Sequence, residues 1–198
     1  MFSKDITPWN PGSQKLNDHE LIINARNGDN DAFKELIKKY EQQVAATVIG
    51  MLGYCTEAED IGQETFIRFY KSLHKFRGEA GVGTYLTRIA INLSLNELKR
   101  RKRQGKYHFT KSDDKIEDIP DTKGTFNQNN IKEIVQKAIQ RLEPKFRAVV
   151  VLRLIDGYSS RETAQILNMP IGTVLSRLAR GQMKLKAILK PLMGESYG

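Results

Sequence analysis

A single cysteine, Cys55, stands in the 198 residues, so neither a disulfide framework nor a cysteine-based zinc site can form within one chain. Cys55 therefore reads as a small buried apolar residue. No window approaches the roughly 18 consecutive apolar residues that a membrane-spanning helix needs, and Met1 to Leu16 lacks the apolar core of a signal peptide. The expectation is a cytoplasmic protein with no direct membrane insertion. The three histidines, His19, His74 and His108, are scattered without metal-ligand spacing, and each reads as structural or solvated. Walker-type glycine motifs and nucleophile elbows are missing too. These absences argue against an enzyme and against a resident metal or other cofactor. Strand-like alternation is not sustained in any segment, which leaves an all-α fold. Acidic residues are in deficit: 23 Asp and Glu face 32 Lys and Arg, and the formal net charge of +9 points to a polyanionic partner.

What is present is helical periodicity in two blocks. Residues 1–17, with Pro8, Trp9, Pro11 and Gly12, carry no period and read as an extended or disordered arm. From Asp18 to Arg103 apolar residues recur at steps of three and four, beginning with Phe33, Leu36, Ile37, Tyr40, Val44 and Val48. Thr56 and Glu59 have capping-box spacing, predicting a helix from about Glu57 whose Phe66, Phe69, Leu73 and Phe76 pack inward. Three glycines then break the pattern between Arg77 and Gly83, predicting a flexible loop, and Thr84 is placed to cap the next helix. That helix ends in Lys99-Arg100-Arg101-Lys102-Arg103, cations suited to the negative end of a helix dipole. Residues 104–130 turn polar and acidic (Asp113, Asp114, Glu117, Asp118, Asp121) around Pro120 and read as a linker. Fully extended, its 27 residues span up to roughly 90 Å. Two small helical domains, 18–103 and 131–190, joined by a flexible linker and followed by a tail at 191–198, are the predicted architecture. Whether the two domains touch is not written in the sequence. The second, with some 60 residues, is marginally stable alone.

In the second block Asp156-Gly157-Tyr158 ends a helix, Ser159 and Glu162 form another capping box, and Asn168-Met169-Pro170 stops the short helix they start. A last helix from about Ile171 has Val174, Leu178, Leu185 and Ile188 on one side and Thr173, Ser176, Arg177, Arg180 and Lys184 on the other. A short helix, a tight turn and a long basic helix make the order of a DNA-reading helix-turn-helix. Arginine donates two parallel bonds to guanine or phosphate, and Thr and Ser donate to phosphate, so Arg177 and Arg180 are the candidate base readers. A solvated helical hairpin has the same spacing.

The stretch Gly157-Tyr158-Ser159-Ser160-Arg161-Glu162-Thr163-Ala164-Gln165-Ile166-Leu167, followed by Met169-Pro170-Ile171-Gly172-Thr173-Val174-Leu175-Ser176-Arg177-Leu178, resembles the C-terminal DNA-binding domain of bacterial RNA polymerase sigma factors of the extracytoplasmic-function (ECF) group. The resemblance implies that Thr173, Leu175, Ser176, Arg177, Arg180 and Lys184 face the minus-thirty-five promoter element in the major groove. Relatives commonly carry Lys or Arg where Leu175 stands; leucine can touch a thymine methyl but bonds neither phosphate nor guanine, so a promoter sequence does not carry over.

A second match lies in the first block. Asp60, Gln63, Glu64, Ile67 and Lys71 share one helix face opposite the aromatic stripe, a pattern that fits a docking patch or an ordinary solvated face. Ala58-Glu59-Asp60-Ile61-Gly62-Gln63-Glu64-Thr65-Phe66 is similar to the sigma segment that binds the clamp helices of the polymerase's largest subunit, which gives Asp60, Gln63, Glu64 and Ile67 that role. Phe76-Arg77-Gly78-Glu79 and Thr84-Tyr85-Leu86-Thr87-Arg88-Ile89-Ala90-Ile91-Asn92-Leu93 resemble the minus-ten recognition and melting region. Arg77, Tyr85, Arg88, Asn92, Asn96, Lys99, Arg100 and Arg103 are the implied contacts to that element: cations for phosphates, asparagines for base edges, Tyr85 for stacking. Tyr85 stands where many relatives have tryptophan, and Gly81-Val82-Gly83 replaces a common serine-aromatic pair. Tyr85 also suits a partly buried helix start.

The resemblance implies an ECF-type sigma factor that docks on core RNA polymerase, opens promoter DNA without ATP and joins the nucleoid within the holoenzyme. It further implies an acidic linker along the polymerase's template and RNA-exit path, and allows an anti-sigma factor, often membrane-anchored in relatives. The helix-turn-helix alone equally suits a stand-alone transcriptional regulator, and the basic stripes alone suit an acidic protein partner.

Overall fold

The computed structural model describes residues 15–105 and 128–193, and every regular element among them is helical. Most of the N-terminal arm, Trp9 included, the acidic stretch with His108, and the tail from 194 lie outside the described residues.

The N-terminal unit holds α1 (Lys15–Arg26), α2 (Asn30–Leu52), α3 (Thr56–Ser72) with a 3-10 turn (Leu73–Lys75), and α4 (Val82–Arg103). The first helix thus begins at Lys15 and not at 18. Asp18 in its first turn, where the helix dipole favours a carboxylate, accepts from Lys39 Nζ at 2.7 Å and from the Tyr40 hydroxyl. Asp29 caps α2, its carboxylate accepting from the backbone N–H groups of Asp31 and Ala32 at 2.9 and 3.1 Å. Leu36, Tyr40, Val44 and Val48 bury as their spacing predicts, while Phe33 and Ile37 are half-buried. α2 also buries a second, polar strip, Gln43 and Thr47 with Gly50, so the helix is enclosed on two sides.

Two caps fall elsewhere than expected. Cys55, not Thr56, is the N-cap residue of α3, and no side chain closes the cap. The Ala58 N–H bonds the Cys55 carbonyl at 3.0 Å, which starts the helix one residue earlier and places Thr56 inside the first turn. The Glu57 carboxylate, held below its ordinary range by a backbone hydrogen bond and by the charge of Arg101, serves that end instead. Likewise α4 is capped by Gly81 and not by Thr84. Burial of Val82 and Gly83 draws the helix start inward, and the Gly83 site has no room for a side chain: a Cβ there would meet Gln43 Oε1 at 2.8 Å.

The C-terminal unit holds α5 (Gln128–Gln140), which takes in three residues assigned to the linker by composition, α6 (Pro144–Val150), α7 (Ser160–Leu167) and α8 (Ile171–Met193). Pro144 lies at the first turn of α6, as its missing donor allows. α6 then widens into a π turn (Val151–Ile155), where the Asp156 N–H reaches the Val151 carbonyl at 2.9 Å. Gly157 turns the chain with φ 75°. Both bonds of the Ser159–Glu162 capping box are made, at 3.2 and 2.8 Å, and Asn168 ends α7 in the left-handed conformation. Ser159→Ala should cost about 1 kcal/mol, seen as a fall of about 3 °C in the thermal unfolding midpoint; an unchanged midpoint would mean the cap does not hold this turn.

The two units touch. One apolar cluster runs from Ile22, Leu36 and Met51 through Ile139, Leu142, Val150, Val151 and Leu152 to Ile166. At its edge the Tyr158 hydroxyl lies 2.5 Å from Gln43 Nε2 and 2.9 Å from Thr87 Oγ1, and Thr47 Oγ1 lies 2.8 Å from Asp156 Oδ2. Arg147, fully buried on α6, donates from Nη1 to the Met51 carbonyl at 2.7 Å, and Gln136 Nε2 donates to the Ile49 carbonyl at 2.5 Å.

Candidate nucleic-acid interface

Three surfaces carry the residues singled out by sequence. On α3, Asp60, Gln63 and Lys71 are exposed, and Ile67 keeps 46% of its surface in solvent. Glu64 is half-buried beside Arg68, whose Nε donates to it at 2.8 Å. This face is opposite Phe69, which is wholly buried. Helical periodicity alone sets that opposition: an aromatic stripe turned inward leaves the carboxylates and the isoleucine outside.

On α4, Asn92, Asn96, Lys99 and Arg103 line an exposed edge at helical steps. Arg100 is exposed but paired with Glu97 through Nε and Nη2 at 2.7 and 2.9 Å. That bond, with a second from Arg101, holds the Glu97 carboxyl below its ordinary range against the opposing effect of burial. Arg101 turns inward and binds Glu97 at 2.9 Å, Glu57 at 3.3 Å and Cys55 Sγ at 3.2 Å, joining the end of α4 to the start of α3. One cation of the basic tail is thus a clamp within the fold. Cys55, half-buried against this guanidinium, is not the buried apolar residue expected of it.

Arg77 is exposed in the loop ahead of α4, with Glu79 as a distant ion-pair partner at 3.9 Å. Tyr85 is half-buried, its ring packed against Phe76 and Phe69 with centroids 5.1 and 5.9 Å away, and its hydroxyl 3.3 Å from Ser72 Oγ. A cleft of about 410 Å³ opens between the loop and α4, lined by Phe76, Arg77, Tyr85 and Arg88, with Gln165 of α7 also on its wall. Its size and its mix of ring faces with guanidinium groups suit a flat, polar-edged group such as an unstacked base. Arg88 does not project freely beside Asn92: its Nη2 donates to the Gln165 carbonyl at 2.9 Å, and its Nε is buried without a partner.

On α8, Val174 is buried while Leu175, Ser176, Arg180 and Lys184 are exposed and Thr173 and Arg177 are half-buried. Ser176 Oγ donates to the Thr173 carbonyl at 3.0 Å, and Lys184 lies 3.6 Å from Glu143. Arg177 and Arg180 make no ion pair among the described residues. Leu175, at 51% exposure, sits in the middle of this polar face. Among the described residues no group of three or more His, Cys, Asp or Glu side chains is placed to hold a metal ion, and no helix is long and apolar enough to cross a membrane.

Sequence reasoning missed four contributors: Gln43, Arg147, Tyr158 and the Gln165 carbonyl. Each acts across the boundary between the two units. Local periodicity gives no sign of such pairings, and only the aromatic Tyr158 within a turn offers a hint.

Residues 36–104 match the family described as Sigma-70 region 2, and residues 132–185 match Sigma-70, region 4. The chain is 31% identical over 187 residues to the RNA polymerase sigma-H factor of Pseudomonas aeruginosa, covering 90% of this chain and 97% of that protein. It is 32% identical over 179 residues to the ECF RNA polymerase sigma factor SigW of Bacillus subtilis, covering 86% and 96%. The fold is shared with CnrH, solved in complex with the cytosolic domain of CnrY, at a TM-score of 0.65 and 24% identity over 87% of this chain and 97% of that one. It is also shared with the sigma factor RpoE of Bartonella quintana, solved with the anti-sigma factor NepR, at 0.61 and 22% over 79% and 96%. With both region families matched in order and the relatives covered almost end to end, the chain belongs to the ECF group of RNA polymerase sigma factors.

Proposed function

We propose that residues 18–103 dock on core RNA polymerase and read and melt the minus-ten element, while residues 131–190 anchor the minus-thirty-five element and the linker sets the distance between them. Docking runs through Asp60, Gln63, Glu64 and Ile67 against the clamp helices of the largest subunit. The observation that carries it is the outward face of α3: Asp60, Gln63 and Ile67 lie in solvent, with Glu64 half-buried beside Arg68 among them, on a helix whose other side is the core. Exposed apolar and polar groups so arranged fit a protein partner, and a chain that only bound DNA has no use for them.

The stripe Asn92, Asn96, Lys99, Arg100 and Arg103 holds the separated strand by its phosphates and base edges. Tyr85 with Arg77 and Arg88 frames the cleft that receives an unstacked base. Binding extruded bases offsets the few kcal/mol of unpairing, so no ATP enters. Thr173, Leu175, Ser176, Arg177, Arg180 and Lys184 meet the minus-thirty-five element, with Leu175 favouring thymine by its methyl group. The chain performs no chemistry itself and works in the cytoplasm, where its polymerase is. Structural neighbours bound to CnrY and to NepR support an anti-sigma partner for this chain as well.

Run-off transcription with purified core polymerase on fragmented genomic DNA tests this. New start sites sharing paired upstream elements are expected, and Gln63→Ala should lower their yield at least about tenfold, the loss of one interface anchor, while DNA binding without polymerase stays unchanged. Duplex binding with no start site would leave the stand-alone regulator as the better account.

A further inference from the structure

We propose that Glu97 is a positioning residue, which braces Arg100 so that it reads one guanine in or beside the minus-ten element instead of holding a phosphate. This rests on the sigma-factor function proposed above, in which α4 faces the promoter, and adds to it a base and the side chain that aims its reader.

The Arg100 guanidinium is held along one edge. Nε donates to Glu97 Oε2 at 2.7 Å and Nη2 donates to Oε1 at 2.9 Å, two parallel bonds that occupy the side edge of the planar fork. The end edge, Nη1 with the second hydrogen of Nη2, is left facing away from the carboxylate. Gln104 Oε1 approaches Nη1 at 3.5 Å, the limit of a hydrogen bond, from an exposed side chain that can give way. Two N–H groups side by side match the O6 and N7 acceptors on the major-groove edge of guanine.

The brace is itself fixed. Glu97 is 9% exposed, and Arg101 Nε donates to its Oε1 at 2.9 Å. Arg101 is tied in turn to Glu57 at 3.3 Å and to Cys55 Sγ at 3.2 Å, so the carboxylate has no free rotation away from Arg100. The bonds from Arg100 and Arg101 hold the Glu97 carboxyl below its ordinary range, and it stays ionised at neutral pH. Lys99 and Arg103, on the same exposed edge of α4, make no ion pair among the described residues. A cation that meets phosphate needs no brace, because a phosphate accepts from many directions, whereas a base edge is read from one.

Charge separates the two roles further. Arg100, Arg101, Glu97 and Glu57 form one cluster whose formal charges cancel. Such a cluster attracts a phosphate weakly, since that attraction depends on net charge. A guanine edge is neutral, and its two acceptors require donors in a fixed direction.

Arg100 and Tyr85 stand about 22 Å apart along α4, at roughly 1.5 Å of rise per residue. At about 3.4 Å per nucleotide, the guanine lies within about six positions of the unstacked base that the Tyr85 cleft receives.

The test is run-off transcription by core polymerase with the full chain. Its pooled templates carry a randomised minus-ten element with about six pairs on each side, and a barcode in the transcribed part identifies each template. Wild type should favour guanine at one position by about fivefold or more. Arg100→Ala should lose that preference and keep the pattern at the other positions. Glu97→Gln should cut it to about twofold or less, and Arg101→Gln, which loosens the clamp but leaves the Arg100–Glu97 bonds, should retain it. Holoenzyme affinity for one template, measured against salt, gives a second reading. Its slope should be unchanged in Arg100→Ala and shallower by about 0.7–0.9 in Lys99→Ala, the mark of a lost phosphate contact. An Arg100→Ala yield that falls equally on all templates, with a shallower slope, would make Arg100 a phosphate contact and overturn the proposal. So would full guanine preference in Glu97→Gln, or a loss in Arg101→Gln as great as in Glu97→Gln, which is what a merely structural carboxylate produces. If the wild-type chain transcribes no template at all, the sigma function itself has failed and the guanine reader falls with it.

Discussion

Arg147→Met should lower the thermal unfolding midpoint by about 10 °C. Arg147 has no exposed surface, and its guanidinium caps two helix ends at once. Nη1 donates to the Met51 carbonyl in the last turn of α2, and Nη2 donates to the Gln140 and Leu142 carbonyls at the end of α5. α2 carries no basic residue in its own last turn, so the cation that its dipole favours comes from 96 residues further along the chain.

Two effects oppose each other in the substitution. Removing a buried cation relieves its desolvation, and replacing buried charges with well-packed apolar groups is often neutral. That relief requires the partners to be replaced as well, and here the partners are backbone carbonyls that no substitution removes. Orphaned carbonyls cost about 1–3 kcal/mol each. With at least two of them enclosed, the loss dominates at about 4 kcal/mol, and about 2–4 °C per kcal/mol for a chain of this length gives the stated fall. Arg147→Lys should recover less than half, because an ammonium lacks the planar fork that reaches two helix ends. A midpoint within 2 °C of wild type for Arg147→Met would show that the carbonyls find water, and that the guanidinium is not what joins α2 to α5.

Those elements that depend on short-range pattern were legible before the fold. The helix-turn-helix came from a capping box, a stop at Asn168-Met169-Pro170 and a periodic apolar stripe, all within some thirty residues. The faces of α3 and α4 came from helical spacing. Cap assignment failed at Thr56 and Thr84 because burial of Val82 and Gly83, and the Cys55 backbone, set the helix starts, and neither is encoded in the capping residue itself. The role of Arg101 was hidden for a related reason. In a run of five cations, nothing local tells the one that folds back onto Glu57 and Cys55 from the four that do not. Contact between the units depends on pairings such as Gln43 with Tyr158, 115 positions apart, where a local reading has no purchase.

Asp156→Asn should stabilise the chain at pH 8 and leave it unchanged at pH 4. The residue as a whole is half-buried, but its carboxyl group is enclosed against α2, and burial pushes it up to about 7 while the bond to Thr47 pulls the other way. Burial, and not Thr47, sets which form the fold prefers. The Thr47 hydroxyl lies 3.1 Å from the Gln43 carbonyl and 2.8 Å from Asp156 Oδ2, and its single proton serves only one of them, so its support for the ionised form is partial. The folded value is raised above the ordinary 3.8, so protonation favours the folded state. Its contribution is complete below pH 3.8 and is lost as pH rises towards 7, at about 1.4 kcal/mol per unit and on the order of 4 kcal/mol in all. Asparagine keeps an uncharged amide oxygen that accepts from Thr47, and it does not titrate. The difference in stability between the two chains should therefore grow across that window and level off above it. Carboxylates held low, such as Glu57 and Glu97, act in acid on both chains and cancel in the difference. Urea unfolding of both chains from pH 4 to pH 8 measures it, and equal slopes would mean that the Asp156 carboxyl is solvated.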